Sequence, residues 1–211
     1  ASDLDGDLVA EHNQIESPRG FVRIMDRMEP AVFLDRDGVI IENRDDYVRS
    51  WSDVEFFPAA LAALQSFSSS PYRIILVTNQ SAVGRGLITL AQAEHLNRRI
   101  IAAVKKHGGR VDGAFMCPHA PQARCDCRKP RPGLLLQAAE ALSLDLSRSF
   151  MIGDALSDLQ AGRAAGVREA MLVRTGRGLQ QASLPEATLL QPFRVFDSLA
   201  EALDHISSHS K

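Results

Sequence analysis

Four short apolar runs, 31-AVFLD-35, 73-RIILVT-78, 149-SFMIGD-154 and 169-EAMLVRT-175, recur along the chain with helix-length segments between them. Runs this short, rich in branched residues and bounded by turn formers, are read as buried strands. The intervening segments carry helix signals. Pro58 suits the first turn of a helix that turns Leu61, Leu64 and Phe67 inward. Thr89 and Gln92 form a capping box before an inner stripe of Leu90, Ala93, Leu96, Ile100, Ile101 and Val104, with Gly108 at the end. A further strand is predicted over about Gly113 to Cys117. Helices are predicted over 134–142 after Pro132, over 156–165 before Gly166, and from Ser198 to Ile206. Such alternation predicts an α/β fold, a doubly wound, mostly parallel sheet with helices on both faces. Residues 1–29 are polar with weak periodicity and are read as an N-terminal extension, leaving one domain over 30–211. No large cap insertion is visible after Asp37 or between the second strand and Lys129, which predicts an open site.

In a sheet of this kind, ligands bind at the carboxyl ends of the strands. The first strand ends in Asp35 with Asp37 two residues on, the second in Thr78 followed by Asn79 and Gln80, and the strand at Phe150 in Gly153 and Asp154. A carboxylate such as Asp35 can attack phosphorus and split a hydrolysis into two easier steps. Asp37 can protonate the leaving oxygen and then take a proton from water. Two carboxylates and a phosphate repel by roughly 4 kcal/mol per pair of charges at about 4 Å and an effective dielectric of about 20. Magnesium held by Asp35, Asp154 and a backbone carbonyl at Asp37 would offset that repulsion. Thr78 and Lys129 supply a hydroxyl and an ammonium for the phosphoryl oxygens. Asp158 reads as a helix-surface carboxylate or one lying behind the metal ligands. The segment 3-DLDGD-7 has nearly the same letters as 35-DRDG-38 but no apolar strand before it, and is read as solvated tail.

All three cysteines lie in 117-CPHAPQARCDCRK-129. Cys117, His119, Cys125 and Cys127 offer three thiolates and an imidazole, the donor set of a closed tetrahedral zinc, with free thiols or a redox pair as the other reading. Four protein ligands would leave no open position, so such a zinc braces the 117–127 loop and does no chemistry. Arg128 and Lys129, directly after it, suit contacts to phosphate. Arg85 and Arg131 read as solvated surface residues that extend this positive rim.

A net charge of −2 with scattered basic residues gives no field for a nucleic-acid backbone. No apolar run is long enough to span a bilayer, and 1-ASDLDGDLVAEHN-13 lacks the basic and apolar regions of a signal peptide, so a cytoplasmic chain is expected. A monomer is the default for a domain without a heptad pattern.

Together, 35-DRDG-38, 78-TNQSAVGRG-86, Lys129, and Gly153-Asp154 with Asp158 resemble the haloacid dehalogenase superfamily of aspartate-nucleophile phosphatases. More narrowly, these motifs with 117-CPH-119, 125-CDCRKPRPG-133 and 173-VRTG-176 resemble the D-glycero-D-manno-heptose 1,7-bisphosphate phosphatases from about Pro30 to Gly178. The resemblance implies magnesium-dependent removal of one phosphate from a bisphosphorylated heptose. Asp35 would be the nucleophile, Asp37 the acid and base, Thr78 and Lys129 the phosphoryl stabilisers, and Asn79, Gln80 and Arg128 substrate-binding residues. Histidinol-phosphate phosphatases share most of these motifs, and the short linker 120-APQAR-124 is like theirs. Ala155 departs from the lysine or polar residue that the family often carries there, and the flap 41-IENRDDYV-48 matches only loosely. A catalytically silent sugar-phosphate-binding protein or a zinc-organised interaction module would have no need for paired carboxylates facing an anion.

Overall fold

The computed structural model describes residues 28–208. Of the 1–29 extension, residues 1–27, with the 3-DLDGD-7 segment, lie outside the described residues. Six strands, β1 (Ala31–Leu34), β2 (Arg73–Asn79), β3 (Gly113–Cys117), β4 (Phe150–Gly153), β5 (Glu169–Val173) and β6 (Val195–Phe196), form one sheet in the order β3-β2-β1-β4-β5-β6. Every neighbouring pair is parallel. The chain winds outward from β1 to β3, then returns to the other side of β1 with β4. This reversal lies between β1 and β4, so a crevice opens there beyond the strand ends.

Strand periodicity divides the core into two layers. Val32, Leu34, Ile74, Leu76, Ile152 and Val173 face one layer with helices α1 (Pro58–Ser66), α3 (Leu90–Lys106) and α8 (Leu199–Ser208). Alternate residues, among them Phe33, Ile75, Val77, Met151 and Leu172, face α4 (Gly133–Leu142), α5 (Leu156–Ala165) and α7 (Pro185–Leu189). All four β1 residues are fully buried, which explains why that strand is a continuous apolar run rather than an alternating one. Full burial of a side chain such as Phe33 contributes about 1.5–3 kcal/mol.

The predicted elements are present with shifted ends. Asp35 lies just past β1, although its N–H still donates to Ile152 O at 3.0 Å. The Thr89–Gln92 capping box forms, with Gln92 N–H donating to Thr89 Oγ1 at 3.2 Å and Thr89 N–H to Gln92 Oε1 at 2.8 Å. Phe67 leaves the α1 stripe for a 3-10 turn, Phe67–Ser69, yet remains buried. The short elements β6, α2 (Ser81–Gly84), α6 (Gly178–Ala182) and α7 were not anticipated; none is long enough to display a period. Met28 and Glu29 are already tied to the domain: Glu29 bridges to Leu144 and pairs with Arg73 at 2.6 Å. Between β1 and α1 the flap folds on itself, with Ile41 bridging to Asp37 and Phe56 and Glu42 N–H donating to Glu55 O at 2.8 Å. There is no large cap among the described residues, and none of their helices is long and apolar enough to cross a membrane.

Candidate active site

The end of β1, the end of β4 and the first turn of α5 bring Asp35, Asp154 and Asp158 together, with one carboxylate oxygen of each within 4.8 Å of the others. Lys129 reaches them from the segment after the cysteine loop. Its Nζ lies 3.0 Å from Asp35 Oδ1 and 2.6 Å from Asp158 Oδ1, and donates to Val77 O at 2.8 Å. Burial by itself would depress the Lys129 ammonium, but the facing carboxylates of Asp158 and Asp35 outweigh it and hold the group above the usual lysine range. Three carboxylates against the Lys129 ammonium and the Arg177 guanidinium still leave an excess of negative charge. Burial, and then Asp35, raise the Asp154 carboxyl; burial, with Asp35 and Asp154, pushes Asp158 up to about 7 against the pull of Lys129. Oxygen donors with unbalanced negative charge are the chemistry that a hard divalent cation fits.

Asp158 corrects one sequence reading. It is fully buried, which excludes a helix-surface position: the side chain points inward under Gly153. Its Oδ2 also accepts from Ala155 N–H at 3.1 Å, so the residue following Asp154 contributes through its backbone.

Asp154 is gripped by two residues that the sequence did not single out. Asn43 Nδ2 donates to Oδ2 at 2.5 Å, and Arg177 contacts it through its main-chain N–H at 2.9 Å and its guanidinium at 3.3 Å. Gly38, at φ +84°, lets the flap cross this point, because a Cβ there would run into Asp154 Oδ2 and Asn43.

The Asp37 carboxylate stands outside the three-carboxylate cluster. It accepts from the Arg36 guanidinium at 3.0–3.2 Å and from Gln80 Nε2 at 3.0 Å. Gln80 also donates to Thr78 Oγ1 at 2.9 Å. Asn79 and Lys129 are joined by two hydrogen bonds between side chain and main chain. Arg128 donates to Ser81 Oγ at 2.7 Å and His119 O at 3.3 Å. Asp37, Asn79, Gln80, Arg128 and Lys129 line a cleft of about 540 Å³ whose outer wall is the flap residues Asn43, Arg44, Asp45 and Tyr47 together with Arg85, while Thr78 lies buried behind Gln80. Arg85 sits 5.9 Å from the Tyr47 ring centroid and so belongs to the cleft, whereas Arg131 turns outward to Asp126 at 2.7 Å.

Behind Lys129 the cysteine loop closes on itself. The Sγ atoms of Cys117 and Cys127 each lie 3.5 Å from Cys125 Sγ, and 3.5 and 3.4 Å from His119 Nδ1. A disulfide is about 2.05 Å, so none is formed. A tetrahedral ion with metal–sulfur bonds of about 2.3 Å and metal–nitrogen bonds of about 2.0–2.1 Å has edges of roughly 3.6–3.8 Å, slightly longer than these four separations, and all four donor atoms lie within 4.8 Å of one another. The loop is held against α2 at Gly84, where a Cβ would strike the Ala120 backbone.

Residues 126–202 match a family model described as HAD-hydrolase-like. This chain belongs to the haloacid dehalogenase-like hydrolases, in the family of the D-glycero-β-D-manno-heptose-1,7-bisphosphate 7-phosphatases. The protein of that name from Pseudomonas aeruginosa is 39% identical over 171 residues, spanning 80% of this chain and 93% of the relative. Its counterpart in Escherichia coli K12 is 37% identical over 194 residues, 89% of this chain and 98% of the relative. A crystal structure of the D,D-heptose 1,7-bisphosphate phosphatase of B. bronchiseptica, complexed with magnesium and phosphate, superposes with a TM-score of 0.78 at 34% identity, covering 86% of this chain and 99% of that one.

Proposed function

We propose that this chain is a magnesium-dependent phosphatase that removes the 7-phosphate of D-glycero-β-D-manno-heptose 1,7-bisphosphate through an aspartyl-phosphate on Asp35. The observation that carries this reading is the meeting of Lys129 with Asp35 and Asp158 on the floor of an open cleft, beside Asp37 and Asp154. The relatives named above bear this substrate in their names.

Asp35 attacks phosphorus, the bond from phosphorus to the sugar oxygen breaks, and Asp37 delivers a proton to that oxygen. Water then attacks the acyl phosphate, Asp37 takes its proton, and phosphate leaves with the Asp35 carboxylate restored. Lys129 and Thr78 hold the phosphoryl oxygens, and Asp158 keeps the ammonium aimed. Bound by Asp35, Asp154 and a backbone carbonyl at Asp37, magnesium supplies the positive charge that lets carboxylates and phosphate share the pocket. Arg128 faces the rest of the substrate from the loop, with Asn79 and Gln80 keeping Lys129, Thr78 and Asp37 in register. Zinc on Cys117, His119, Cys125 and Cys127 fixes the loop that presents Arg128 and Lys129.

Phosphorus NMR of the heptose bisphosphate during turnover tests the reading. The C7 ester signal should disappear in a magnesium-dependent manner with the anomeric phosphate retained, and Asp35→Asn should be inert. Release of the anomeric phosphate would contradict the assignment of the reacting group.

A further inference from the structure

Arg36, between the two aspartates of 35-DRDG-38, is the largest fully buried side chain among the described residues, with 1% of its surface exposed. Its guanidinium bridges two partners, Asp37 and Asn97. Nε and Nη2 reach Asp37 Oδ1 at 3.2 and 3.0 Å, and Nη2 also reaches Asp37 Oδ2 at 3.0 Å. Nη1 donates to Asn97 Oδ1 at 2.5 Å. Asn97 is itself buried on α3, and its Nδ2 approaches Met116 Sδ of β3 at 3.7 Å. The Asp37 carboxylate is thus held on one side by Gln80 and on the other by a line of side chains running back into the layer beneath the sheet.

A buried guanidinium is an expensive way to stabilise a fold, since well-packed apolar residues of similar size commonly do as well or better. A planar fork bonded to both oxygens of a carboxylate, however, sets the orientation of its plane, which an ammonium or a single hydrogen bond leaves free to rotate. Orientation is what a proton donor at a loop end lacks, and misplacement by about 1 Å can cost roughly 10²-fold in rate.

We propose that Arg36, backed by Asn97, is a positioning residue that fixes the Asp37 carboxylate for proton transfer to the leaving oxygen. The inference rests on the phosphatase reading and adds to it a device on the far side of the acid from the substrate. Its signature is dependence on the leaving group. A sugar alkoxide needs the proton, worth typically 10²–10⁴-fold, whereas p-nitrophenolate leaves without it.

The test compares kcat/KM, which reports the steps up to departure of the leaving group and not the later hydrolysis of the aspartyl-phosphate, on the heptose bisphosphate and on p-nitrophenyl phosphate for wild type, Arg36→Lys and Asn97→Leu, at saturating magnesium. Near-ultraviolet circular dichroism and thermal midpoints verify folding. Arg36→Lys should lose at least tenfold more on the sugar phosphate than on the aryl phosphate, and Asn97→Leu should show the same bias to a smaller degree. Equal losses on the two substrates in folded variants, or no loss on either, would overturn the positioning role while leaving the phosphatase reading intact. A wild type with no turnover sensitive to Asp35→Asn would remove both.

Discussion

Asn79 closes two hydrogen bonds on the main chain of Lys129: its Nδ2 donates to Lys129 O at 3.0 Å, and Lys129 N–H donates to its Oδ1 at 3.1 Å. The end of β2 is thereby fastened to the segment leaving the cysteine loop. Asn79→Ala leaves a partly buried N–H and C=O without partners, at a cost of about 1–3 kcal/mol. The expected result is a roughly 10–100-fold fall in kcat, about equal for sugar and aryl phosphates, because the ammonium and not the proton donor is displaced. Steady-state kinetics on both substrates checks this.

On the proposed reading the cysteine loop supports the site without entering the chemistry. Cys125→Ser should drop zinc from about one per chain toward none by elemental analysis, and turnover should fall although added magnesium is saturating. Wild type stripped by chelator should regain activity with zinc and magnesium together, and not with magnesium alone. Recovery by magnesium alone would show that the loop holds its shape without a metal.

Gly38→Ala places a methyl group where Asp154 and Asn43 lie, at a backbone φ of +84° that alanine adopts with strain. The expected outcome is a loss of at least tenfold in the apparent affinity for magnesium, seen in the metal dependence of turnover, since the displaced group is Asp154. An unchanged magnesium dependence would contradict the position given to the flap.

Asp158 also predicts a pH dependence of stability. Its folded-state pKa of about 7 lies above the ordinary value of 3.8, so between these limits the native state holds a proton that the unfolded chain has released. Stability contributed by this group is therefore lost as pH rises from about 4 to about 7. Urea unfolding of wild type minus Asp158→Asn, without added magnesium, should slope downward across that window. Parallel profiles would contradict the burial and crowding assigned to Asp158.

The strand ends were the legible part of this site. Asp35, Thr78 and Asp154 stand at the ends of apolar runs, and a parallel sheet carries such ends to one edge. The cysteine loop was legible for another reason: the donor set and its spacing constrain the loop whatever surrounds it. Arg177 and Asn43 were not legible, because both reach Asp154 from irregular segments with no period, through contacts spanning more than 20 residues of sequence. For Asp158 the sequence left two positions open, on the helix surface or behind the metal ligands, because an acidic residue in the first turn of a helix suits the dipole wherever its side chain ends. Here a buried lysine from another segment turns it inward. Arg36 was hidden because strand alternation gives its direction but not the buried Asn97 that receives it.

The proposed function makes Asp35 the nucleophile of a phosphatase selective for the heptose bisphosphate. Its most direct test is kcat/KM for D-glycero-β-D-manno-heptose 1,7-bisphosphate and for histidinol phosphate, measured side by side with wild type and Asp35→Asn in saturating magnesium. Wild type should prefer the heptose bisphosphate by at least 10²-fold, with turnover of both substrates abolished in Asp35→Asn; a preference for histidinol phosphate, or turnover that survives Asp35→Asn, would refute the assignment.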